Sequence, residues 1–379
     1  MKGTNNMIYL DNAATTRPIA IDDTYWGNAS SLYTIGRKSY NVLTTCKKII
    51  GNFFNVDPNG VIFTSGATES NNWVIRNNIE SVLYNNGRPH VITSPIEHPS
   101  VRNVIKYYED KNLVDVTYLK VDKNGRVIID ELEKQIRKNT CLVTCMAVNN
   151  EIGSIQPIEE IGEICVNYCI PFHVDATQGI GKMVIDMKKD KIDFLSFSAH
   201  KFNGPKGVGA LVYHDTNMLE GTGPFILGGH QQQGYRAGTE NVDMIMSMTA
   251  ALIKKNNNLE VSINNSKMIN QYMEEKLKEL FNPEDYIINS HDYTIPVFNV
   301  SFKNISGEYI VSELDKKDIY VSTGSACTSG DLAPSYVLEA INCPSEYIQG
   351  TIRISFDPME NTIDEINMVF HELQKIIKN

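Results

Sequence analysis

Short apolar runs of strand length recur along this sequence, and each is followed by small or polar residues. The clearest runs cover residues 61–64, 91–94, 142–148 and 192–197, and stretches with helical spacing of apolar side chains lie between them, as at residues 157–168. Strands that alternate with helices predict an α/β fold with a mostly parallel sheet and helices on both faces. Ligands bind such sheets at the carboxyl ends of the strands.

Polar residues with specific chemistry gather at these predicted strand ends. Asp175 follows one apolar run, and Lys201 follows the next, about one strand-to-strand crossover later. A lysine that forms a Schiff base and a carboxylate that pairs with a pyridinium nitrogen are the groups that a pyridoxal phosphate site requires. A lysine in a turn is also a common solvated surface charge, so the pair indicates the site better than Lys201 alone. Three other polar residues take equivalent positions: Thr68, His98 and Asn150.

One cysteine, Cys327, lies in a run of glycine, serine and threonine at residues 321–330. Small polar residues of this kind cannot form a core, so we expect the thiol to be exposed. An exposed thiol that can reach a cofactor is a candidate nucleophile once it is deprotonated. An incidental surface cysteine would have the same surroundings, so composition alone leaves both interpretations open.

Arg353 lies between two isoleucines on a predicted strand. A buried guanidinium needs an anionic partner, and its planar shape suits a carboxylate. That carboxylate could belong to a substrate or to a structural salt bridge.

Taken together, these segments resemble the class V aminotransferase family of fold-type I pyridoxal phosphate enzymes, and most closely its cysteine desulfurase branch. The resemblance covers nearly the whole chain, with dense motifs in the expected order. The motifs that carry it are residues 8–16, 61–71, 95–100, 173–179, 196–209, 228–241 and 321–338. It implies a homodimer with pyridoxal 5'-phosphate as cofactor, L-cysteine as substrate and a sulfur-acceptor protein as partner.

The resemblance also implies the catalytic roles. Lys201 would be the Schiff-base lysine that later removes the substrate Cα proton, and Asp175 would be the pyridinium partner. Cys327 would take the sulfur of L-cysteine as a persulfide and leave L-alanine. Arg353 would hold the substrate carboxylate, with Asn150 near both substrate and cofactor.

Further residues would contact the cofactor itself. His98 would stack on the pyridine ring and act in proton transfer, and Gln178 would bind the ring oxygen O3′. The phosphate group would be held by Ala67, Thr68, Ser198, His200 and, across the dimer interface, Thr239.

A length of 379 residues allows two domains and a large core. We expect a large cofactor-binding domain at residues 13–252 and a smaller α+β domain at residues 253–379, the latter joined by residues 1–12. A long helical stretch at residues 242–281 would connect the two. The small domain is expected to hold strands at residues 297–302, 320–322 and 351–356 and helices at residues 308–316 and 362–377.

Charge and cysteine spacing exclude several other classes of protein. The net charge is −10 with no basic block, which argues against nucleic-acid binding. No apolar run reaches the roughly 18 residues of a membrane span, and the polar start has no signal-peptide pattern, so we expect no membrane partner and a cytoplasmic protein. The seven cysteines include no C-x-x-C pair, so no metal site is expected. We interpret four of them as buried reduced thiols: Cys141, Cys145, Cys165 and Cys169.

The sequence departs from the family pattern in two places. Residues 17–26 are shorter than the helical segment that relatives have there, and Tyr33 stands where relatives have a histidine. In the loop at residues 228–241, relatives more often carry glycine, glutamate, arginine and arginine at four positions, which here are His230, Gln232, Gln233 and Tyr235. These departures affect substrate identity more than fold.

Two alternative functions therefore stay open. The first is a selenocysteine lyase or another β-elimination enzyme of this fold, which would depend less on Cys327. The second is a non-catalytic sulfur carrier or scaffold partner that keeps the fold without turnover. The sequence does not identify the acceptor, since iron–sulfur cluster assembly, tRNA thiolation and cofactor thiolation all use this family.

Overall fold

A seven-stranded sheet forms the centre of the structure, which is a computed structural model that describes residues 8–14, 27–215, 223–324 and 334–378. One strand is antiparallel to both of its neighbours, and the other six point the same way. The predicted mostly parallel sheet is confirmed, and the carboxyl ends of six strands meet at one edge. The strands, in spatial order, are β2 (Val61–Thr64), the antiparallel β8 (Gly209–Tyr213), β7 (Phe194–Ser198), β6 (Phe172–Asp175), β5 (Thr140–Met146), β3 (His90–Thr93) and β4 (Asp115–Tyr118).

Helices cover both faces of this sheet, which explains why five of its strands are buried at every residue rather than at alternate ones. Phe63 and Phe197 point into one core, while Ile62 and Phe194 point into a second core on the opposite face. Each core buries its side of the strands against helices, so the predicted arrangement is confirmed. The helices of this part are α1 (Thr34–Phe54), α2 (Ala67–Tyr84), α3 (Pro99–Asp110), α4 (Ile129–Gln135) and α5 (Ile158–Asn167).

Two helix starts at the strand-end edge have clear local causes. Gly66 precedes α2 with φ of 149°, a conformation that only glycine adopts readily. His98 caps α3, where its side chain accepts a hydrogen bond from the backbone N–H of Ser100, and Pro99 takes the first helical position. Both starts place polar groups beside the ends of neighbouring strands.

The C-terminal part of the chain builds a second, smaller sheet. Its antiparallel strands lie in the order β12 (Thr351–Ser355), β10 (Val297–Phe302) and β9 (Tyr286–Ile288). A separate parallel pair joins β1 (Ile8–Tyr9) to β11 (Ile319–Tyr320). These strands share an apolar core with α7 (Leu259–Leu280), α8 (Gly307–Asp315) and α11 (Ile363–Lys378). The other helices of this part pack elsewhere: α6 (Val242–Asn257) packs into one core of the large sheet, and α9 (Tyr336–Ala340) and α10 (Ser345–Ile348) pack in a small cluster with Ile96 and Met146.

The N-terminal segment packs with the C-terminal part. Ile8 and Leu10 are buried in the same core as Phe298 and Ile352, and the backbone N–H of Asn12 donates to the carbonyl oxygen of Ser355. The expected domain boundaries remain predictions. The arrangement matters for the site because it fixes the residues that follow β1.

Three expectations need correction. Residues 242–281 form two helices rather than one, because the chain leaves helical geometry at Asn258, with φ of −111° and ψ of 9°. The strand expected at residues 320–322 ends earlier, at Tyr320, although Ser322 still pairs with Arg353 through an isolated bridge. Cys169 is exposed, at a positive φ of 55° after α5, so it is not a buried thiol.

The other three of those cysteines are enclosed, although Cys141 only partly. Within the described ranges, no helix is both long and apolar enough to cross a bilayer. The same part of the chain holds no group of three or more His, Cys, Asp or Glu side chains arranged for a metal ion.

Candidate active site

Lys201 sits at the end of a short 3₁₀ turn, Ala199–Lys201, that follows directly after β7. Its Nζ donates to the carbonyl oxygens of Ala13 and Ala14, both at 2.7 Å. The lysine is half-buried. The turn and the segment after β1 therefore hold the amine at the edge where the strand ends meet.

Gln178 lies beside this lysine. Its Nε2 donates to the same Ala13 carbonyl oxygen at 3.0 Å, and its Oε1 accepts from Lys182 Nζ at 2.6 Å. Lys182 thereby decides which end of the amide faces Lys201. Burial lowers the pKa of Lys182 to about 7, and the positive charges of Lys201 and Lys255 act in the same direction.

Asp175 ends β6 and is buried. Its Oδ2 accepts from Asn71 Nδ2 at 2.7 Å, and its Oδ1 accepts from the backbone N–H of Thr177 at 3.0 Å. Two donors from different elements fix both oxygens of the carboxylate. An ionised carboxylate held in this way suits a cationic partner such as a pyridinium N–H.

His98 follows β3 and faces the same edge. Its Nδ1 lies 2.8 Å from Ser100 Oγ and accepts from the Ser100 backbone N–H at 3.1 Å. Ser100 Oγ also accepts from Asn71 Nδ2 at 2.9 Å, so a chain of hydrogen bonds joins His98 to Asp175. Burial lowers the pKa of His98, while the charge of Asp175 opposes this change and the charge of Lys201 reinforces it.

The turn from β2 into α2 forms a cradle. The backbone N–H of Ala67 donates to Ser198 Oγ at 2.7 Å, and a Cβ added at Gly66 would lie 2.9 Å from that hydroxyl. Thr68 follows in the first turn of α2, exposed to solvent. A helix N-terminus with small residues and a free approach is a favourable place for a phosphate group.

His200 lies between this cradle and Lys201 in sequence and is half-buried. Burial lowers its pKa to about 4, and the positive charges of Lys201 and Lys206 act in the same direction. The imidazole is therefore neutral at physiological pH. It can bind an anion through an N–H group without adding a charge.

The loop at residues 228–241 is anchored to this cradle. Arg236 binds Glu69, in the first turn of α2, through Nε to Oε1 at 2.9 Å and Nη2 to Oε2 at 3.2 Å. Gln232 accepts from the backbone N–H of Phe63 at 2.6 Å and donates to its carbonyl oxygen at 2.8 Å. Thr239, in the same loop, is exposed.

Arg353 is almost completely buried on β12. Its Nη2 donates to Asp11 Oδ1 at 2.7 Å, and its Nη1 donates to the carbonyl oxygen of Asn150 at 3.1 Å. The structure thus brings Arg353 to the backbone of Asn150 and to a carboxylate of the chain itself. Its Nε has no hydrogen-bond partner among the described residues.

Cys327 lies outside the described residues. The residues on either side of that segment lie near Glu151, which follows Asn150. Ser335 donates to Glu151 Oε2 at 2.6 Å, and a Cβ added at Gly324 would lie 3.3 Å from the same oxygen. Burial raises the pKa of Glu151, although Ser335 and Arg353 oppose this.

A small cavity lies beside these groups. Its lining includes Lys201, Lys182, Ala13 and the ion pair of Lys255 with Asp357, whose Nζ and Oδ2 are 3.2 Å apart. An amine and a fixed carboxylate beside an anion cradle can bind an anionic aromatic aldehyde cofactor and do proton transfer next to it.

Sequence reasoning missed three supporting residues: Asn71, Ser100 and Lys182. Lys182 has a readable signal, since it lies four residues after Gln178, the spacing that lets side chains meet on a helical turn. Asn71 and Ser100 lie on different helices, α2 and α3, so only the assembled fold brings them together.

The sequence matches the family described as Aminotransferase class-V over residues 8–369. It is 39% identical to "Cysteine desulfurase IscS" of Methanosarcina thermophila, over 99% of this chain and 93% of that protein. It is 37% identical to "Cysteine desulfurase" of Nostoc sp., over 97% of this chain and 93% of that protein.

Solved structures with similar folds are consistent with these sequence matches. One described as "NIFS-LIKE PROTEIN" aligns with a TM-score of 0.87 at 32% identity, over 98% of this chain and 99% of that one. Another, "SspA in complex with cysteine", aligns with a TM-score of 0.78 at 32% identity, over 93% of this chain and 99% of that one.

Proposed function

This chain belongs to the class V aminotransferase family and, within it, to the cysteine desulfurases, and from that membership we propose how its own residues do the reaction. We propose that Lys201 holds pyridoxal 5'-phosphate and that Cys327 takes the sulfur of L-cysteine. The observation that carries this proposal is the joint placement of Lys201 and Gln178 on one carbonyl oxygen, that of Ala13. Two groups expected at one cofactor thus converge from β7 and from the segment after β6.

The described residues fit the cofactor. The φ of 149° at Gly66 and the short distance from its added Cβ to Ser198 Oγ are what a phosphate cradle needs, because any side chain would fill it. Ala67, Thr68, Ser198 and His200 would hold the phosphate there. When bound, pyridoxal phosphate supplies the electron sink that stabilises negative charge at the substrate Cα.

Asp175 would keep a proton on the ring nitrogen, because Asn71 and Thr177 hold both of its oxygens in place. Gln178 would donate its Nε2–H to the ring oxygen, because Lys182 occupies its carbonyl end. The Lys201 amine would remove the Cα proton once the substrate amine has replaced it. His98 would stand over the ring.

Arg353 would orient the substrate through its carboxylate, next to Asn150. The Cys327 thiolate would then attack the substrate sulfur. A sulfur–sulfur bond forms and the carbon–sulfur bond breaks, so the bond's electron pair stays with carbon, which gains a proton and leaves as L-alanine. Cys327 keeps the sulfur as a persulfide, and a thiol of an acceptor protein or a small reductant must remove it before the next turnover.

We propose that the working unit is a homodimer in which Thr239 reaches the cofactor phosphate of the other subunit. Support comes from the exposure of Thr239 and from the large exposed side chain of Leu227 just before the same loop. A large apolar side chain in solvent beside an anchored loop is typical of an interface. Residence in the cytoplasm and the absence of nucleic-acid partners remain predictions.

Alanine release from L-cysteine tests the proposal, with pyridoxal phosphate and a reductant present. We expect Cys327→Ala to keep the yellow cofactor and lose at least about 100-fold in rate, as for removal of a nucleophile. Cys169→Ala is the matched control, because Cys169 is an exposed thiol outside the site, and it should match wild type.

Other outcomes separate the alternatives. Equal alanine release by Cys327→Ala would contradict the role of that thiol. Alanine from selenocysteine but not from cysteine, with or without Cys327, would favour the lyase. A yellow protein that releases alanine from neither substrate would favour the non-catalytic partner.

A further inference from the structure

Four polar side chains form a continuous line under the candidate cofactor site. Asp175 Oδ2 accepts from Asn71 Nδ2 at 2.7 Å, and the same nitrogen lies 2.9 Å from Ser100 Oγ. Ser100 Oγ lies 2.8 Å from His98 Nδ1. Asn71 is completely buried and Ser100 nearly so, so water does not replace these contacts.

The chemistry of the groups fixes the direction of every proton in this line. The ionised carboxylate of Asp175 only accepts, so Asn71 must present its NH₂ group there rather than its oxygen. Both N–H bonds of Asn71 are then used, one on Asp175 and one on Ser100 Oγ. The Asn71 oxygen has no partner within the described ranges, which a flipped amide would not improve, because it would place that oxygen against the carboxylate.

The hydroxyl of Ser100 accepts from Asn71, so its own proton is available for His98 Nδ1. The backbone N–H of Ser100 donates to the same Nδ1 at 3.1 Å. With two donors aimed at it, Nδ1 is an acceptor and carries no proton. A neutral imidazole must then carry its proton on Nε2.

Nearby charges are compatible with a neutral imidazole. Burial lowers the pKa of His98, the negative charge of Asp175 raises it and the positive charge of Lys201 lowers it. Two donors at Nδ1 also disfavour protonation, because the added proton would meet both of them.

We propose that Asn71 and Ser100 are positioning residues that hold His98 as the neutral Nε2–H tautomer, so that His98 offers the site a fixed hydrogen-bond donor and not a base. The assignment stands on these hydrogen bonds, and the use of the Nε2–H group rests on the proposed function. It restricts His98 Nε2 to donating a hydrogen bond, while the Lys201 amine is the group that can take a proton.

The test measures the imidazole directly. Protein labelled with ¹⁵N in histidine is studied by solid-state NMR across the pH range, with and without pyridoxal phosphate. The chain has eight histidines, so the His98 signals are assigned by their loss in His98→Gln. We expect an unprotonated Nδ1 and a protonated Nε2 at neutral pH.

Ser100→Ala removes the hydroxyl and keeps the backbone donor. We expect the pKa of His98 to rise by about 0.5–1 unit, the size of one neutral hydrogen bond, with the acidic limb of the pH–rate profile moving in the same direction. Ser100→Thr keeps the hydroxyl and should keep the wild-type titration, which a merely structural effect of the site would not explain.

A protonated Nδ1 in the wild type would overturn the proposal, and so would an unchanged His98 titration in Ser100→Ala. The wild-type spectrum decides the tautomer even if Ser100→Ala fails to fold. Alanine release from the same samples separates the two proposals. An inactive wild type with the expected spectrum would refute the proposed function alone, and an active enzyme with a protonated Nδ1 would refute this inference alone.

Discussion

The Arg353 guanidinium and the Asp11 carboxylate form an ion pair of 2.7 Å between Nη2 and Oδ1. Arg353 is almost completely buried, whereas the Asp11 side chain is 19% exposed. The pair therefore satisfies the buried charge before any substrate arrives. A substrate carboxylate that binds Arg353 must share the guanidinium with Asp11 or displace it.

Asp11→Asn tests that competition. The amide oxygen can still accept from Nη2, but the competing negative charge is gone, so we expect the KM for L-cysteine to fall several-fold while kcat changes little. Because charged partners hold a buried guanidinium better than neutral ones, the free energy of unfolding should fall by about 1–3 kcal/mol. Alanine release and urea unfolding measure the two effects.

The control for this experiment is Arg353→Lys, which keeps the charge and loses the planar fork. Its KM should rise about 10- to 100-fold, the worth of a charge-assisted hydrogen bond. A raised KM in Asp11→Asn would instead mean that Asp11 orients Arg353 for the substrate.

Gly66→Ala tests the phosphate cradle. The added methyl group would lie 2.9 Å from Ser198 Oγ, and the φ of 149° would be strained. We expect the affinity for pyridoxal phosphate to fall at least about 10-fold, because the side chain fills the space beside the helix N-terminus. Titration of apo-protein with the cofactor, followed by absorbance, measures this.

Gly207→Ala is the matched control for the cradle. Gly207 also has a positive φ, 77°, but an added Cβ there would meet no atom within 4 Å. It should cost about 1–2 kcal/mol of stability from the backbone alone and leave cofactor affinity unchanged. Equal losses of affinity in both variants would contradict the cradle.

The catalytic candidates at the strand ends could be predicted from the sequence, because their positions depend only on the residues that precede them in the chain. Asp175 and Lys201 each follow a buried apolar run, and parallel strands must bring their carboxyl ends to one edge. The break at Asn258 also had a local signal, since residues 256–258 are three asparagines, which favour the helix less than the residues before them.

The partners of those groups could not be predicted in the same way. Asp11 and Arg353 lie at opposite ends of the chain, and their contact exists only because β1 packs in the C-terminal core. The same holds for the bonds from Gln232 to Phe63, which need a loop to return to the edge strand β2. No periodicity or motif predicts such contacts between segments that are far apart in the chain.

Gln232→Ala tests the contact between this loop and β2. The Gln232 amide pairs with both backbone groups of Phe63 and is buried. Its loss leaves an N–H and a carbonyl unpaired, so we expect the free energy of unfolding to fall by about 1–3 kcal/mol. Chemical unfolding at constant pH measures this change.

The next residue provides the control. Gln233 is exposed and has a φ of 63°, close to the 49° of Gln232, so the two substitutions change backbone strain alike. Gln233→Ala should therefore stay within about 0.5 kcal/mol of wild type. Similar losses in the two variants would show that strain, not the amide contacts, sets the stability of this loop.

Lys182→Met tests the buried amine that orients Gln178. Burial lowers the pKa of Lys182 to about 7, well below the usual value of a lysine, so between about pH 7 and pH 10 the unfolded chain binds a proton that the folded chain does not. Stability rises with pH wherever the unfolded state binds more protons. This contribution of Lys182 is therefore unfavourable at pH 7 and is relieved as the pH rises toward 10.

Methionine has no titrating group, so the variant lacks this dependence. Relative to wild type, Lys182→Met should be most stable near pH 7 and lose that advantage by pH 9 to 10, as urea midpoints at each pH would show.

The variant also loses the 2.6 Å bond to Gln178 Oε1, so the Gln178 amide becomes free to turn, and we expect a shift in the pH at which the bound cofactor changes colour. Lys188→Met, at an exposed lysine six residues further along, should change neither property. A stability difference that stays constant from pH 7 to pH 10 would show that Lys182 keeps its proton throughout, and the amine would then act on Gln178 as a permanent cation.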